Sequence, residues 1–301
     1  MESVDDIGTG ILRQLAQAQA KQKEQQREQQ KEIKAQREYN EVNNLIHLPQ
    51  WPEEARGVPN CVLRGSLFAA IPERNAKYCE DLILHETDKV SVKYTGKRLT
   101  QSDLTVWEHA LHFARKQNLG NKIYFTEHSF LRGMDRSCSI QDYRWLEKVL
   151  KKLRATAVAI THGDKTYIGG LIDEAYKDED KGLYAVVFNS KIARLFEAGN
   201  TWISWEERKL IGKRKPLAQW LHGYISTHVK WLPHKIATIR ELSGSETKEL
   251  WKFKQNLTIA LKHLKSIGLI DEFRIDEKDL VHITRKLSRA QQKHLDEKKA
   301  D

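Results

Sequence analysis

Residues 243–264 read SGSETKELWKFKQNLTIALKHL. Wound at about 3.6 residues per turn, Leu250, Phe253, Leu257, Ala260, Leu261 and Leu264 fall on one stripe, the pattern of a helix buried along one side. The opposite side shows Lys248, Lys252, Gln255, Ile259 and Lys262, with Trp251 at the margin. Ser243 and Glu246 have capping-box spacing and Ser245 is a second N-cap candidate, so the helix start is expected to be fixed there. Upstream, IATIRELSG reads as a short helix closing at Gly244. Downstream, LIDEFRI and DLVHITR read as two strands joined by Asp276-Glu277-Lys278. Short helix, Gly turn, longer helix and hairpin is the element order of a winged helix, whose longer helix enters the major groove of DNA.

Standing alone, a lysine-rich helix is more often a solvated face than a binding surface. Here the preceding helix and turn, the following wing, and Arg274, Arg285 and Lys286 on that wing favour a nucleic-acid contact. In such a contact the Lys and Arg side chains meet phosphates, whereas Gln255 can pair with an adenine edge. Trp251 reads as a packing residue.

The first half follows the same order. VLRGSLFAAI reads as a helix with Leu63, Leu67 and Ala70 on one face, and KVSVKYTGKRL as a hairpin turning at Thr95-Gly96. SDLTVWEHALHFARKQ reads as a helix capped by Ser102 or Asp103, with Leu104, Trp107, Leu111 and Phe113 or Ala114 inside. HSFLRGM and the longer SIQDYRWLEKVLKKLRAT follow, then three strand-like runs, AVAIT, TYIGGLI and YAVVFN. In the longer helix Ile140, Tyr143, Leu146, Val149, Leu150 and Leu153 form the buried stripe. Arg144, Lys148, Lys151 and Lys152 cluster opposite. After Gln141 no Gln or Asn faces forward, so this helix is expected to support DNA through phosphates rather than read bases.

The fold class that follows is α+β, with two tandem winged-helix domains (helix-turn-helix plus β-wing) behind an N-terminal arm. Residues 21–39, KQKEQQREQQKEIKAQREY, offer only Ile33 and Tyr39 for burial, so the arm is expected to be disordered or loosely helical. The expected divisions are a flexible polar arm at 1–47, an N-terminal winged-helix domain at 48–200, a C-terminal one at 201–290 and a charged tail at 291–301.

Lys and Arg number 51 against 41 Asp and Glu in 301 residues, a formal charge of +10 that favours a polyanionic partner. Cys61, Cys79 and Cys138 are sparse and odd in number, which speaks against a disulfide framework and for buried free thiols in a reducing compartment. The opening MESVDDIGTG has no apolar core, so no signal peptide is expected, and no run is apolar enough to cross a bilayer. A cytoplasmic, DNA-associated bacterial protein is the expectation.

Catalytic and cofactor motifs do not emerge. His109 and His112 could share a helix face, yet no H-E-x-x-H, H-x-H or Cys cluster completes a metal site. THGDKTYIGG lacks the spacing of a P-loop. Neither an enzyme, a cofactor nor a metal is expected.

Read in order, LPQWPEEARGVPNCVLRGSLFAA, KYTGKRLTQSDLTVWEHALHFAR, PLAQWLHGYISTH, KIATIRELSGS and DLVHITR resemble the TrfA family of iteron-plasmid replication initiators. Together these blocks cover most of residues 48–286. The resemblance implies binding to direct repeats, called iterons, at a plasmid origin, with melting of adjacent AT-rich DNA. It also implies recruitment of the host initiator DnaA and the helicase DnaB, and a homodimer in equilibrium with the monomer that initiates. Within it, the C-terminal module reads the major groove and the N-terminal one contacts backbone and mediates dimerisation. One block departs. A family member has a Gln-Leu-x-Leu-Phe peptide for the polymerase sliding clamp where this chain reads NLIHLPQWP, with Leu45, Ile46 and Leu48 a degraded version, so clamp binding is not carried over. A reading from a different class is a winged-helix repressor on an operator. Repressors usually place one module per chain on a palindrome, whereas two tandem modules suit a long asymmetric repeat.

Overall fold

In the computed structural model, the described residues are 46–86, 90–162, 165–197 and 199–285, together with Glu24, Arg27 and Lys31. The chain divides into two units, Met1–Ile46 and His47–Asp301. In the first, Glu24, Arg27 and Lys31 are helical and exposed. The rest of the expected arm before residue 46, and the expected tail at 291–301, lie outside the described residues.

The second unit mixes α-helices with small β-sheets. Its first half is built around helix Gln101–Ala114, which buries Leu104, Val106, Trp107, Ala110, Leu111 and Ala114. The helix begins earlier than Ser102 or Asp103. Thr100 is its N-cap, and Asp103 turns back to accept the Thr100 backbone N–H at 2.7 Å and its hydroxyl at 2.9 Å. Strand Ala55–Pro59, buried throughout, packs beside this helix and pairs antiparallel with Asn200–Ser204. Gly57 in that strand has no substitute, because a Cβ there would lie 2.3 Å from the Trp51 ring stacked on the backbone.

Three sequence expectations change in this half. VLRGSLFAAI is helical only over Asn60–Leu63; Phe68–Ala69 is a strand running parallel to Leu99–Thr100. Leu67, Phe68, Ala69, Ala70 and Ile71 are all buried, and a run covered on every side suits extended chain better than a helix with one buried face. The Thr95-Gly96 pair is not a turn. Strand Val90–Lys97 runs through it, pairing Thr95 with Ala157 and Gly96 with Cys79. Finally, the three strand-like runs part company. Ala157–His162 and Lys165–Gly169 join Val90–Lys97 and Tyr78–Glu86 in a four-stranded sheet, whereas Leu183–Val187 pairs with Lys122–Thr126 and Glu174–Asp178. In the sequence between strands Lys122–Thr126 and Ala157–His162 lie helices Glu127–Gly133 and Ile140–Arg154, with Thr126 and Ser139 as N-caps accepting the Ser129 and Asp142 backbone N–H groups.

The second half holds helices Pro216–Ser226, Ile236–Leu242 and Leu250–Ser266, beside a three-stranded sheet. Glu272–Ile275 and Leu280–Thr284 form the expected hairpin, and His234–Lys235 adds a strand that the sequence did not announce. Trp220, Leu221, Tyr224, Ile225, Ile236, Ile239, Phe253, Leu257, Leu261, Leu264 and Val281 make one continuous core. Gly244 closes the turn between the second and third helices with φ near +61°, where any Cβ would lie 2.7 Å from that of Ser66.

A buried arginine ties the halves together. Arg208, on helix Trp205–Ile211, donates from Nη1 to the Gln219 carbonyl at 2.8 Å and from Nη2 to the Gln101 carbonyl and Thr105 Oγ1, both at 3.0 Å. Its Nε lies 3.3 Å from Glu108 Oε1.

Candidate nucleic-acid interface

Helix Leu250–Ser266 turns Phe253, Leu257, Ala260, Leu261 and Leu264 inward, as its period requires. Its outer side carries Trp251, Lys252, Gln255, Asn256, Ile259 and Lys262, all exposed. Two details differ from expectation. Ser243 is not the N-cap. It is buried, and its hydroxyl donates to the Arg240 carbonyl at 3.0 Å, closing the preceding helix. Helix Leu250–Ser266 follows Glu249 instead, and Lys248 therefore stands in the loop before it. Trp251 is 62% exposed and does not serve the core, because it lies on the outer side of the helix while Leu250 and Phe253 turn inward.

No acidic residue occurs among the 17 of this helix. Lys254 and Lys265 are drawn to acids of the hairpin region, Asp279 at 2.6 Å and Glu272 at 2.7 Å. Lys248, Lys252 and Lys262 make no ion pair among the described residues. Positive charge on the outer face is thus left for a partner. Beside that face a groove of about 740 Å³ is lined by Lys252, Asn256 and Ile259 of the helix together with Pro72, Arg214 and Lys215, and by the acids Glu246 and Glu249 ahead of the helix. Sequence reasoning missed Asn256 and the exposed run Lys213-Arg214-Lys215. The run was legible as three successive cations before Pro216, but only the fold brings Arg214 and Lys215 to the groove beside the helix.

On the hairpin, Arg274 is exposed, 3.4 Å from His282 Nδ1. Arg285 does not belong with it. Its Nη2 donates to the His228 carbonyl at 3.0 Å, and burial pushes its guanidinium below its ordinary value while Glu207 pulls it back. The charge is engaged at the end of helix Pro216–Ser226. Lys286 lies outside the described residues.

Helix Ile140–Arg154 presents Arg144, Lys148 and Lys151 to solvent. Lys151 bonds Glu147 one turn back, and Lys148 lies 3.8 Å from Glu73. Lys152, expected beside them, is only 7% exposed, with Nζ 2.6 Å from Asp103 and 3.0 Å from Glu73. It locks this helix to the cap of helix Gln101–Ala114 and is not available to a partner. Ile140, expected in the buried stripe, is 66% exposed because it sits at the first position of the helix, beyond the packed turns.

His109 and His112 are internal. Trp51 Nε1 donates to His112 Nδ1 at 3.1 Å, and His112 Nε2 faces Glu53 at 2.8 Å, which fixes the neutral ring with its proton on Nε2. Burial, with Arg56 nearby, pushes this histidine down from its ordinary value to about 4. His109, stacked on Trp205 with Arg56 Nη2 at 3.2 Å, moves in the same direction for the same reasons. A pH dependence follows. Between about 6.5 and 4 the unfolded chain binds a proton at His112 that the folded chain does not, so acid favours unfolding across that window. His112 alone is expected to lower stability by on the order of 3 kcal/mol from pH 7 to pH 4, since each tenfold difference in proton affinity between the folded and unfolded chain is worth about 1.4 kcal/mol, and His109 adds to the fall in the same direction. Urea midpoints against pH measure it. His112→Gln should make the profile shallower between those values, leaving the part that His109 supplies, and an unchanged slope would refute the assignment.

Among the described residues, no group of three or more His, Cys, Asp or Glu could hold a metal ion, and no helix is long and apolar enough to cross a membrane. Cys61, Cys79 and Cys138 are free and half-buried. Leu48, the last residue of the degraded clamp peptide, is 2% exposed and engaged in packing.

Fold and surface thus define a mixed α/β chain in which two long helices turn cations outward. A family model described as TrfA protein matches residues 8–285, and the chain belongs to the TrfA family. It is 27% identical over 254 residues to the plasmid replication initiator protein TrfA of Escherichia coli, a match covering 80% of this chain and 65% of that protein. The chain therefore spans just under two-thirds of the length of this curated relative. Among solved structures, domains 2 and 3 of RctB share its fold with a TM-score of 0.52 at 14% identity, over 77% of this chain and 100% of that one. The Pi initiator protein, solved in complex with iteron DNA, aligns with a TM-score of 0.47 at 13% identity, over 60% and 91% of the two chains.

Proposed function

We propose that this chain is a plasmid replication initiator that binds direct repeats at an origin through two tandem winged-helix modules. The observation that carries this reading is the acid-free helix Leu250–Ser266, whose lysines and amide side chains are exposed together beside Arg214 and Lys215. Membership of the TrfA family supports it. Lys248, Lys252, Lys262 and Arg274 meet phosphates and Gln255 meets a base edge. Arg144, Lys148 and Lys151 of the earlier helix supply backbone contacts that carry no sequence information. The protein acts by binding, not catalysis, in the bacterial cytoplasm. Double-stranded iterons, the host initiator DnaA and the helicase DnaB are its partners, and dimers exchange with the initiating monomer.

Salt tests the reading directly. With six or more phosphates neutralised, affinity for duplex DNA is expected to fall roughly a thousandfold between 50 and 200 mM salt, linearly on logarithmic axes. The double variant Arg144→Ala/Lys148→Ala should weaken specific and random duplexes alike. A flat salt response would sink the nucleic-acid reading. Footprinting on DNA flanking the gene separates initiation, which needs direct repeats, from repression at a single inverted repeat.

A further inference from the structure

Two large apolar side chains stand in solvent on the outer side of helix Leu250–Ser266. Trp251 is 62% exposed and Ile259 is 66% exposed, and both lie on the same side of helix Leu250–Ser266. They belong to one ridge with Gln255 between them, each step being four residues, and Lys252 and Lys262 flank that ridge. Exposure of single apolar residues is ordinary, but an apolar–amide–apolar row within a lysine frame, on a helix free of acids, has a specific chemistry. The frame selects a polyanion, which a protein surface rich in apolar contacts would not satisfy. Within a polyanionic duplex, the apolar group that such a row can meet is the C5-methyl of thymine, which projects into the major groove beside the hydrogen-bonding edges.

We propose that Ile259 and Trp251 are specificity-determining residues that each contact a thymine methyl group, with Gln255 reading the base pairs between them. This rests on the assignment of the helix as the DNA-reading element and deepens it by naming what the element recognises. The spacing fits. Eight residues of helix advance about 12 Å, which matches three to four base pairs at about 3.4 Å each. The two methyl contacts are therefore about three or four base pairs apart. Ile259, with a branched aliphatic end, buries a methyl by simple contact, and Trp251 covers one with its ring face.

Deoxyuridine removes the methyl and leaves every hydrogen-bonding group in place, so it isolates this contact. The full chain is used to select duplexes from a random-sequence library, and each thymidine of the best-bound duplex is then replaced singly by deoxyuridine. Two positions three or four base pairs apart are expected to weaken binding by about fourfold each, the factor associated with burying one methyl-sized group. Ile259→Ala should bind the thymidine and deoxyuridine duplexes equally at one of those positions, and Trp251→Ala at the other. Both side chains are exposed, so thermal melting of the variants should match the parent. Selective binding that ignores every deoxyuridine replacement, or variants that keep the parent's methyl sensitivity, would overturn this inference and leave the helix as a DNA reader. Failure to select any duplex would overturn both.

Discussion

Glu108→Ala is expected to cost about 3–5 kcal/mol, the largest single loss foreseen for this chain. Glu108 is fully buried, and its Oε1 lies 3.3 Å from Nε of Arg208, itself 3% exposed. Burial pushes the Glu108 carboxyl up, and the charges of Arg208 and Arg56 pull it back. Removing the acid leaves Arg208 cationic in a place without a counter-charge, since a guanidinium does not give up its proton. Arg208 holds helix Trp205–Ile211 to the carbonyls of Gln101 and Gln219, so the fault falls where the two halves of the unit meet. Against a typical stability of about 5–15 kcal/mol, such a loss leaves little reserve. Urea denaturation should show the midpoint falling. The pair Glu108→Leu/Arg208→Met, which removes both charges, should recover part of the loss but not all of it, because the Gln101 and Gln219 carbonyls then lose their Arg208 donor. A single variant costing under about 1 kcal/mol would mean that the pair is not the brace inferred here.

The second large effect separates the two sides of helix Leu250–Ser266. Leu257 is 0% exposed and packs in the core of the second half, so Leu257→Ala should destabilise the fold by about 2–5 kcal/mol through lost transfer energy and an incompletely closed cavity. Two residues away, Gln255 is exposed and makes no core contact. Gln255→Ala should leave melting unchanged and cost about 1–3 kcal/mol on the cognate repeat, with little loss on random DNA. Lys252→Ala should lower both affinities and reduce the salt slope by about one phosphate equivalent. Measured on the same purified variants, melting temperature, specificity ratio and salt slope move one at a time. If Gln255→Ala melted early while Leu257→Ala lost only DNA binding, the helix would be turned about its axis relative to the structure.

Much of the architecture follows from period and punctuation. The stripe through Phe253, Leu257 and Leu261 is a local regularity, and so are the alternation in Leu280–Thr284 and the proline opening helix Pro216–Ser226. Where the local signal is ambiguous, packing decides. VLRGSLFAAI has apolar residues at helical intervals and also in an unbroken run, and burial on every side makes it extended after Asn60–Leu63. Thr95-Gly96 has turn composition, but pairing with Tyr78–Glu86 and Ala157–His162 holds the strand straight through it.

The site divides in the same way. A helical wheel assigns an angle to each side chain, and the sequence alone therefore determined that Lys252, Gln255 and Ile259 share a side opposite the leucines, on a segment without acids. It could not determine what covers that side. Lys152 and Lys148 are four residues apart on one wheel, yet Lys152 meets Asp103, 49 positions earlier in the chain, and becomes an internal tie. Arg285 follows the hairpin in sequence but bonds His228, 57 positions away. Trp251, expected to pack inside, stands in solvent, and Arg214 and Lys215 line the groove beside the helix. Long cationic side chains reach several ångströms in any direction, so whether a charge is spent inside or offered outward depends on which acids and carbonyls the tertiary structure carries within that reach.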